Sequence, residues 1–493
     1  MYTLDTLVWN NRFATLSKDF YAAVKPTPLK NAHWVSFNQD AAQLIHLSSD
    51  EINNPDFLDF CSGVNMPDAC QPLAMLYSGH QFGHYVSQLG DGRAIMLGET
   101  QGWELQLKGS GVTPFSRSAD GRAVLRSTIR EYLCSEAMHH LGIPTTRALA
   151  MVNSGEEVCR ERIETGAMLL RMAPSHIRFG SFEVFFHRRE LDSLHQLSEF
   201  VKTQYYPEVL TAEKPNLALL ETIIQRTAKL MAQWQLVGFA HGVMNTDNMS
   251  ILGLTLDYGP FGFLDRYDPN FICNHSDHAG RYAFDQQPSI GLWNLNCLAH
   301  AMLPLLSADP DSAVEQAKAA LQTYQGEFEA AWLQGCRAKL GLYNNAVENN
   351  VHDTTLMKTL LQSLHKNQVD YTRFFRILSI LKKTDIRSDT AIRDLFLDRN
   401  DFDQWAVQYR QRLQHETKTD EQRQTEMNQV NPKYILRNHM AETAIQQAEQ
   451  GDYAEVERLL ALLQQPYSEQ MENAHYADEP PQWAHEISVS CSS

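Results

Sequence analysis

The sequence lacks Cys-x-x-Cys pairs, long apolar runs and an excess of basic residues. Its eight cysteines are scattered over 493 residues, so no zinc knuckle or thioredoxin-like motif is indicated. No run of about 18 apolar residues occurs, which makes a membrane span an unfavourable hypothesis. The first residues, MYTLDTLVWN, lack the basic and apolar regions of a signal peptide, so we expect a cytoplasmic protein. A net charge of −17 disfavours nucleic acid as a partner but is compatible with a local basic pocket for a nucleotide.

The segment HGVMNTDN at 241–248, which is followed by Asp257-Tyr258-Gly259, lacks one residue of a kinase-like pattern. Kinases place an aspartate base shortly after such a histidine, then an asparagine and an Asp-aromatic-Gly triplet. Here Val243 occupies the position of the base. The pattern therefore indicates either an inactive kinase or an enzyme with different chemistry.

The two metal-ligand positions of that pattern are kept. Asn248 and, nine residues later, Asp257 offer an amide and a carboxylate oxygen, which are hard ligands suited to Mg²⁺ or Mn²⁺. Asp247 directly precedes Asn248. It is either a displaced general base or an ordinary turn-forming aspartate, and both hypotheses stay open at this point.

A glycine turn and a lysine precede this segment in the chain. Gly90 and Gly92, with Arg93, lie between two predicted strands, where glycines allow a backbone to approach a phosphate or simply form a hairpin. Lys108 ends the strand WELQLK and is either a phosphate ligand or an exposed strand residue.

Further charged residues are candidates for the same pocket. The predicted helix 119–140 carries Glu131 and Glu136, and either could pair with Lys108, with Glu131 preferred because it lies mid-helix. Arg171 and Arg178 flank a Pro-Ser turn in an apolar region, and they either bind a polyphosphate through their planar guanidinium groups or form ordinary surface ion pairs.

The order of predicted elements fits an α+β fold class: a bilobal protein-kinase-like fold with an N-terminal extension and a helical C-terminal appendage. The predicted boundaries are an extension at 1–80, a strand-rich nucleotide-binding lobe at 81–185, a helical lobe with the metal site at 186–300, a helical region at 301–470 and a tail at 471–493.

Several of these motifs resemble the selenoprotein O family, whose members are pseudokinase-like proteins. The similar stretches include GHQFGHYVSQLGDGRAIMLGE, MAPSHIRFGSFE, CNHSDHAGRY, NPKYILRNHMAETAI and the terminal SCSS, and they cover most of the chain from about residue 75. The resemblance implies an enzyme that binds ATP in a flipped orientation and transfers AMP to Ser, Thr or Tyr hydroxyls of proteins, with pyrophosphate as the leaving group. UTP with manganese would give the corresponding UMP transfer.

The resemblance also implies roles for individual residues. The nucleotide pocket would contain Gly90, Gly92, Arg93, Lys108, Asp120, Gly121, Arg171, Arg178 and Asp257. Asn248 and Asp257 would hold Mg²⁺ or Mn²⁺, and Asp247 would be the base. A disulfide between Cys273 and Cys491 that restrains the loop after Asp257 is a redox hypothesis. Two rival hypotheses remain, a metal-dependent ATP phosphotransferase and an inert ATP-binding scaffold.

Overall fold

An antiparallel sheet organises the first part of the chain. In a computed structural model, which describes residues 1–344 and 349–490, its strands follow the order β1-β3-β6-β7-β10-β9-β2, and β8 pairs with β10. The strands, including those of two separate two-stranded sheets, β4-β5 and β11-β12, are β1 (Tyr21–Ala23), β2 (His33–Phe37), β3 (Leu73–Met75), β4 (Gly79–Gln81), β5 (His84–Val86), β6 (Ala94–Thr100), β7 (Trp103–Lys108), β8 (Ala123–Val124), β9 (Arg147–Cys159), β10 (Ile163–Ala173), β11 (Phe239–Ala240) and β12 (Gly262–Phe263).

The alternation in β7 decides which face of the sheet is polar. Leu105 and Leu107 join an apolar core beneath the sheet. Successive side chains of a strand point to opposite faces, so Gln106 and Lys108 lie on the other face. Arg171 of β10 is directly opposite Gln106 in the register and therefore shares that polar face.

Three helices lie between the strands of the sheet, and the chain after β10 is mostly helical, including its C-terminal region. The helices are α1 (Gln39–Leu44), α2 (Pro55–Cys61), α3 (Leu125–His140), α4 (Phe179–Arg188), α5 (Leu191–Tyr205), α6 (Pro215–Val237), α7 (Gln287–Leu306), α8 (Pro310–Leu340), α9 (Asn350–Lys366), α10 (Tyr371–Leu378), α11 (Thr390–Arg393), α12 (Arg399–Leu413), α13 (Asp420–Val430), α14 (Asn438–Ala448) and α15 (Ala454–Leu463). The mixed α and β composition expected from the sequence is confirmed.

Helix α3 begins later than the predicted 119–140. Ala123 pairs with Ala167 of β10, so the chain is still extended there and turns into the helix at Leu125. The predicted end is right, because Gly142 has a φ of +78°, a left-handed conformation that glycine adopts without strain. Ile129 and Leu133 are fully buried, as the four-residue spacing indicates.

The N-terminal 80 residues, expected as an extension, contribute three strands to the sheet: β1, β2 and β3. Strands β1 and β2 are its two edge strands, and β2 pairs with β9 over His33 to Phe37. Short apolar runs broken by Pro and Asn gave no strand alternation from which this pairing could be inferred. These residues therefore complete the sheet that carries Lys108 and Arg171.

The C-terminal helices also return to the sheet-containing part. Helices α14 and α15 pack on α3, and their Met440 and Leu459 share one core with Ile129 and Leu133 of α3. Arg437, just before α14, donates to Asp265 at 2.5 Å. The helical region is thus joined to α3 by packing as well as by the chain. Across the described residues, no helix is both long and apolar enough to cross a bilayer.

Candidate active site

One cleft of about 840 Å³ is lined by the polar face of the sheet, by α3 and by the loops that follow α6. It brings together residues that are far apart in the sequence. All the residues that the sequence singles out for the nucleotide, the metal or the base line this cleft: Gly90, Gly92, Arg93, Lys108, Asp120, Gly121, Arg171, Arg178, Asp247, Asn248 and Asp257. Glu131 lines it as well.

The glycine turn between β5 and β6 packs closely against the segment 113–116. A Cβ atom on Gly90 would lie 2.6 Å from Cγ of Phe115, and the φ of Gly90 is +87°. Thr113 Oγ1 donates to the carbonyl of Asp91 at 2.6 Å, and the Ser116 hydroxyl donates to the carbonyl of Gly92. The turn is therefore held rigidly at the edge of the cleft, and a side chain at position 90 would displace it.

Five ionisable side chains form what we call the cleft network: Lys108, Glu131, Arg171 and Arg178, which are buried, and Asp257, which is partly buried. Lys108 Nζ donates to Glu131 Oε2 and lies 3.4 Å from Asp257 Oδ1. Arg171 Nη1 donates to Glu131 Oε1 at 2.9 Å and to Asp257 Oδ1 at 2.5 Å. Arg178 Nη1 donates to Asp257 Oδ2. Asp257 therefore contacts all three cations.

Asp257 is the most constrained member of the cleft network. Burial alone would raise the pKa of its carboxyl group, but Arg171, Arg178 and Lys108 hold that pKa well below its usual range. Its φ of +58° lies in the left-handed region that non-glycine residues seldom adopt. An ionised carboxylate held at a sparsely populated backbone conformation is a combination found at functional sites.

The second glutamate considered for Lys108 lies elsewhere. Glu136 accepts hydrogen bonds from Arg147 Nε at 2.9 Å, from Arg147 Nη2 at 2.8 Å and from the Ala148 amide at 3.0 Å. These contacts tie α3 to β9. Glu131 is thus the helix glutamate that meets Lys108.

Asp247 is buried at one wall of the cleft. Its Oδ2 accepts a hydrogen bond from Gln81 Nε2 at 3.1 Å, and its Oδ1 has no partner among the described residues. Burial raises the pKa of Asp247 to about 6, although Gln81 and Arg178 act in the opposite direction. The carboxyl group therefore exchanges its proton closer to neutral pH than an ordinary aspartate does.

A hairpin that sequence reasoning did not assign to the site covers Asp247. A Cβ atom on Gly79 of β4 would lie 2.6 Å from Asp247 Oδ1, so only glycine leaves room for the carboxylate. Gln81 of the same strand supplies the hydrogen bond described above, and the His80 amide donates to Thr246 Oγ1 at 2.7 Å. The two Gly-His pairs in GHQFGH at 79–84 were the feature of the sequence that could have indicated a role for this hairpin, but they match no general chemical motif.

Asn248 and Asp257 fit a divalent cation by ligand type. Asn248 Nδ2 donates to the Val243 carbonyl at 3.0 Å, which commits the nitrogen and leaves Oδ1 as the atom for a ligand. Asp257 supplies carboxylate oxygens in the same cleft. Amide and carboxylate oxygens are what Mg²⁺ and Mn²⁺ prefer. Because three cations now contact Asp257, an ion binding there must share or replace those contacts.

The remaining predicted residues lie at the rim. Asp120 accepts from Arg160 Nη1 at 2.7 Å and Nη2 at 2.9 Å, and these hydrogen bonds lower the pKa of its carboxyl group. A Cβ atom on Gly121 would lie 2.1 Å from the Gly111 carbonyl, so this position requires glycine. Arg93 is exposed. The rim therefore adds charge and shape to the cleft mouth.

Of the two cysteines in the redox hypothesis, only Cys273 lies within the described part of the chain. Cys273 is buried, and its Sγ lies 3.4 Å from the Ala240 carbonyl. A Cβ atom on Gly242 would lie 2.7 Å from that sulfur, so Cys273 packs beneath the start of HGVMNTDN. Cys491 is outside the described residues.

Comparison with known proteins places this cleft in a family. A family model described as protein adenylyltransferase SelO matches residues 3–464. The chain belongs to the SelO family. The resemblance to selenoprotein O seen in the sequence is confirmed. As a SelO-family member the chain is an enzyme of the nucleotidyltransferase class.

Curated relatives of this SelO-family chain carry the name protein nucleotidyltransferase YdiU. The protein from Thioalkalivibrio sulfidiphilus is 54% identical over 100% of both chains. The one from Myxococcus xanthus is 50% identical, again over 100% of both chains. The one from Cupriavidus metallidurans is 52% identical over 97% of this chain and 90% of the relative. The similarity therefore extends over the whole cleft and the C-terminal helices.

Proposed function

We propose that this enzyme transfers AMP from ATP to Ser, Thr or Tyr hydroxyls of protein substrates and releases pyrophosphate. The observation that carries the proposal is the cleft network, in which Lys108, Arg171 and Arg178 converge on Asp257. Val243 stands where a kinase has its base, while these three cations gather on the buried side. That arrangement suits a triphosphate whose β- and γ-phosphates point inward.

The reaction follows from such a flipped nucleotide. The acceptor hydroxyl oxygen attacks the α-phosphorus, a new P–O bond forms, and the bond from the α-phosphorus to the bridging oxygen breaks. Pyrophosphate leaves with the electron pair of that bond. Lys108, Arg171 and Arg178 stabilise the charge that builds up on it, as preorganised cations do in phosphoryl-group chemistry.

Asp247 is our candidate for the base. In its ionised form it takes the proton of the acceptor hydroxyl as the new bond forms. A base with a pKa of about 6 is largely ionised at neutral pH and still accepts a proton readily. The hydrogen bond from Gln81 Nε2 to Asp247 Oδ2 orients the carboxylate for this role.

Asn248 and Asp257 are the proposed ligands of Mg²⁺ or Mn²⁺. A divalent ion there would neutralise phosphate charge beside the reacting phosphorus. We propose in addition that Mn²⁺ allows UTP as a donor. The ATP-facing part and the helical part would form the two lobes of a protein-kinase-like fold, with the cleft between them.

A redox control of the same cleft is a further part of the proposal. We propose a disulfide between Cys273 and Cys491 that restrains the loop after Asp257. The His275 amide donates a hydrogen bond to the Val489 carbonyl at 3.0 Å. This contact supports the pairing, because His275 is two residues from Cys273 in the chain and Val489 is two residues from Cys491. Non-reducing peptide mapping of oxidised protein tests the pairing. Both thiols recovered unpaired would remove it.

The proposed transfer is tested with ATP labelled at the α- or at the γ-phosphate. Purified enzyme, with reductant, is incubated with each label and with Mg²⁺ or Mn²⁺, using itself and a cell lysate as acceptors. We expect protein-bound label from the α-position only. The Asp257→Ala variant serves as the control for contaminating enzymes.

Other outcomes select the rival functions. Label transferred from the γ-position alone would make the enzyme a phosphotransferase with Asp247 as its base. No label from either position, with ATP binding demonstrated, would identify an inert nucleotide-binding scaffold.

A further inference from the structure

A second cluster of ligand-type side chains lies behind the hairpin that covers Asp247. His80 is on β4, and Glu183 and His187 are four residues apart on α4, so that the last two share one helix face. His80 Nδ1 lies 2.5 Å from Glu183 Oε2. One ligand atom from each residue lies within 4.8 Å of the other two.

The buried carboxylate of Glu183 has one oxygen without a protein partner. Glu183 is 0% exposed, and its Oε1 makes no hydrogen bond to any described residue. A buried acceptor left without a partner is costly and calls for an occupant that supplies the missing contact. A cation between the carboxylate and the two imidazoles would supply it.

We propose that His80, Glu183 and His187 bind a divalent transition-metal ion, separately from the ion held by Asn248 and Asp257. Two imidazole nitrogens and one carboxylate oxygen suit Zn²⁺, Co²⁺ or Mn²⁺ better than Mg²⁺, which prefers oxygen ligands alone. Metal-to-ligand distances of about 2.0–2.2 Å place neighbouring ligand atoms roughly 3.3 Å apart, so small side-chain rotations suffice. His187 is exposed, which gives an ion a path to the buried Glu183.

A similar cluster at the end of α3 is a weaker candidate. Asp40, His139 and His140 also lie within ligand distance of one another. Arg147 Nη2, however, already donates to Asp40 Oδ2 at 2.6 Å and places a positive charge beside it. No such cation contacts Glu183 among the ion pairs of the described residues.

The proposed ion would connect two elements that both pack against the 246–248 turn, which carries Asp247. Helix α4 supplies Glu183 and His187, while β4 supplies His80 together with Gln81, whose side chain donates to Asp247. An ion bound to all three ligands would cross-link α4 to the hairpin. It would thereby reduce the freedom of the hairpin to move away from the carboxylate.

Cobalt binding to the full-length enzyme tests the site without relying on activity. Chelator-treated protein is titrated with Co²⁺ in the absence of nucleotide, and the visible d–d absorption and the melting temperature are recorded. We expect at least one Co²⁺ ion per chain, with the absorption of a nitrogen- and oxygen-ligated ion. We also expect a higher melting temperature with the ion than without it, because the ion binds only the folded state.

Three variants locate the ion. His187→Ala should weaken Co²⁺ binding on the order of tenfold or more, since loss of a ligand costs at least as much as loss of its supporting hydrogen bond. His300→Ala, a nearby histidine that packs on Phe186, is the matched control and should bind as the wild type does. Asp257→Asn should also keep the binding.

No Co²⁺ binding to the wild type, or unchanged binding by a His187→Ala variant that melts normally without metal, would overturn the proposal. Binding lost in Asp257→Asn would assign the ion to the cleft instead. Glu183→Gln offers a second ligand variant if His187→Ala fails to fold.

Discussion

Two largely buried ion networks in this enzyme consist of the same kinds of cationic and carboxylate side chains but have different surroundings. The cleft network contains three cations and two carboxylates and opens onto a cavity. A second set, which we call the helix network, consists of Arg337, Asp353, Arg412 and Glu416 on α8, α9, α12 and the turn after α12. None of its members lines the cleft.

The helix network is balanced in charge and in hydrogen bonds. Asp353 accepts from Arg337 Nε and Arg412 Nε, each at 2.7 Å, and Glu416 accepts from Arg412 Nη1 at 2.7 Å. Glu416 also accepts from the Tyr343 amide at 2.9 Å. Two cations face two carboxylates, so no charge is left for a ligand.

The cleft network differs in that its three cations exceed its two carboxylates by one positive charge. Burial and ion pairing are common to both sets, so neither property identifies a functional site. The surplus of cations and the open cavity distinguish the cleft network, and together they would provide a place and a charge for a phosphate group.

The largest difference between the two networks should appear when Asp257 is removed. Asp257→Ala deletes the proposed metal ligand and leaves three cations without their common partner. We expect AMP transfer to fall at least about a thousandfold, because charge stabilisation in the transferring group is lost. Transfer of α-label measures it, and circular dichroism checks the fold. Undiminished transfer would remove Asp257 from the mechanism.

The corresponding change in the helix network should affect stability instead. Asp353→Ala leaves Arg337 buried without its carboxylate and Arg412 with Glu416 alone, and we expect a loss of about 3–5 kcal/mol in the free energy of unfolding. Urea denaturation measures this loss. The folded fraction should transfer AMP at nearly the wild-type rate. A specific activity reduced as strongly as in Asp257→Ala would show that the networks are coupled.

Asp247, beside the cleft network, should control the pH dependence. Its pKa is raised to about 6, so the rate should fall as the pH decreases through this value and the carboxylate becomes protonated. Asp247→Asn should lower the rate by about a hundredfold and abolish this pH step, while ATP binding stays nearly unchanged. A pH step that persists in the variant would point to another group.

The same pKa shift has a consequence for folding that can be checked separately. Because the folded-state pKa of Asp247 exceeds the ordinary value of 3.8, the native state binds more protons between these two values. The cost of burying the charged carboxylate therefore develops as the pH rises from about 4 to about 6. In the Asp247→Asn variant, the free energy of unfolding should lack this decrease with rising pH.

The smallest expected effect is a difference in the KM for ATP between variants of the two glutamates of α3. Glu131→Gln weakens the hold on Lys108 and Arg171 and should raise the KM for ATP by about tenfold, which corresponds to about 1.4 kcal/mol. Glu136→Gln weakens the contacts with Arg147 and the Ala148 amide, away from Lys108, and should lower the melting temperature while leaving the KM unchanged. Steady-state kinetics with both variants make the comparison. Equal KM values would contradict the role of Glu131.

Much of the cleft could be predicted from the sequence because its chemistry depends on residue type and order. Lys108 at the end of an alternating strand and Asn248 nine residues before Asp257 are local patterns. The register of β7 and β10 then places Arg171 opposite Gln106. Whether the residues in the cleft have the assigned roles stays a prediction until the variants are measured.

The parts that could not be predicted depend on contacts between distant segments. The pairing of β2 with β9 joins residues more than a hundred positions apart, and no local alternation of apolar and polar residues predicted it. The cover over Asp247 likewise depends on Gly79, whose need for glycine arises only because a carboxylate from position 247 packs there. The choice between Glu131 and Glu136 required the position of Arg147.

The packing of α14 and α15 on α3 has a consequence for how the enzyme is made. Helix α3 carries Glu131, yet part of the surface that covers this helix comes from residues that follow position 437. A ribosome synthesises them only after most of the chain has emerged. We therefore expect the nascent enzyme to acquire a firm ATP site late in translation, so that modification of neighbouring proteins begins after release.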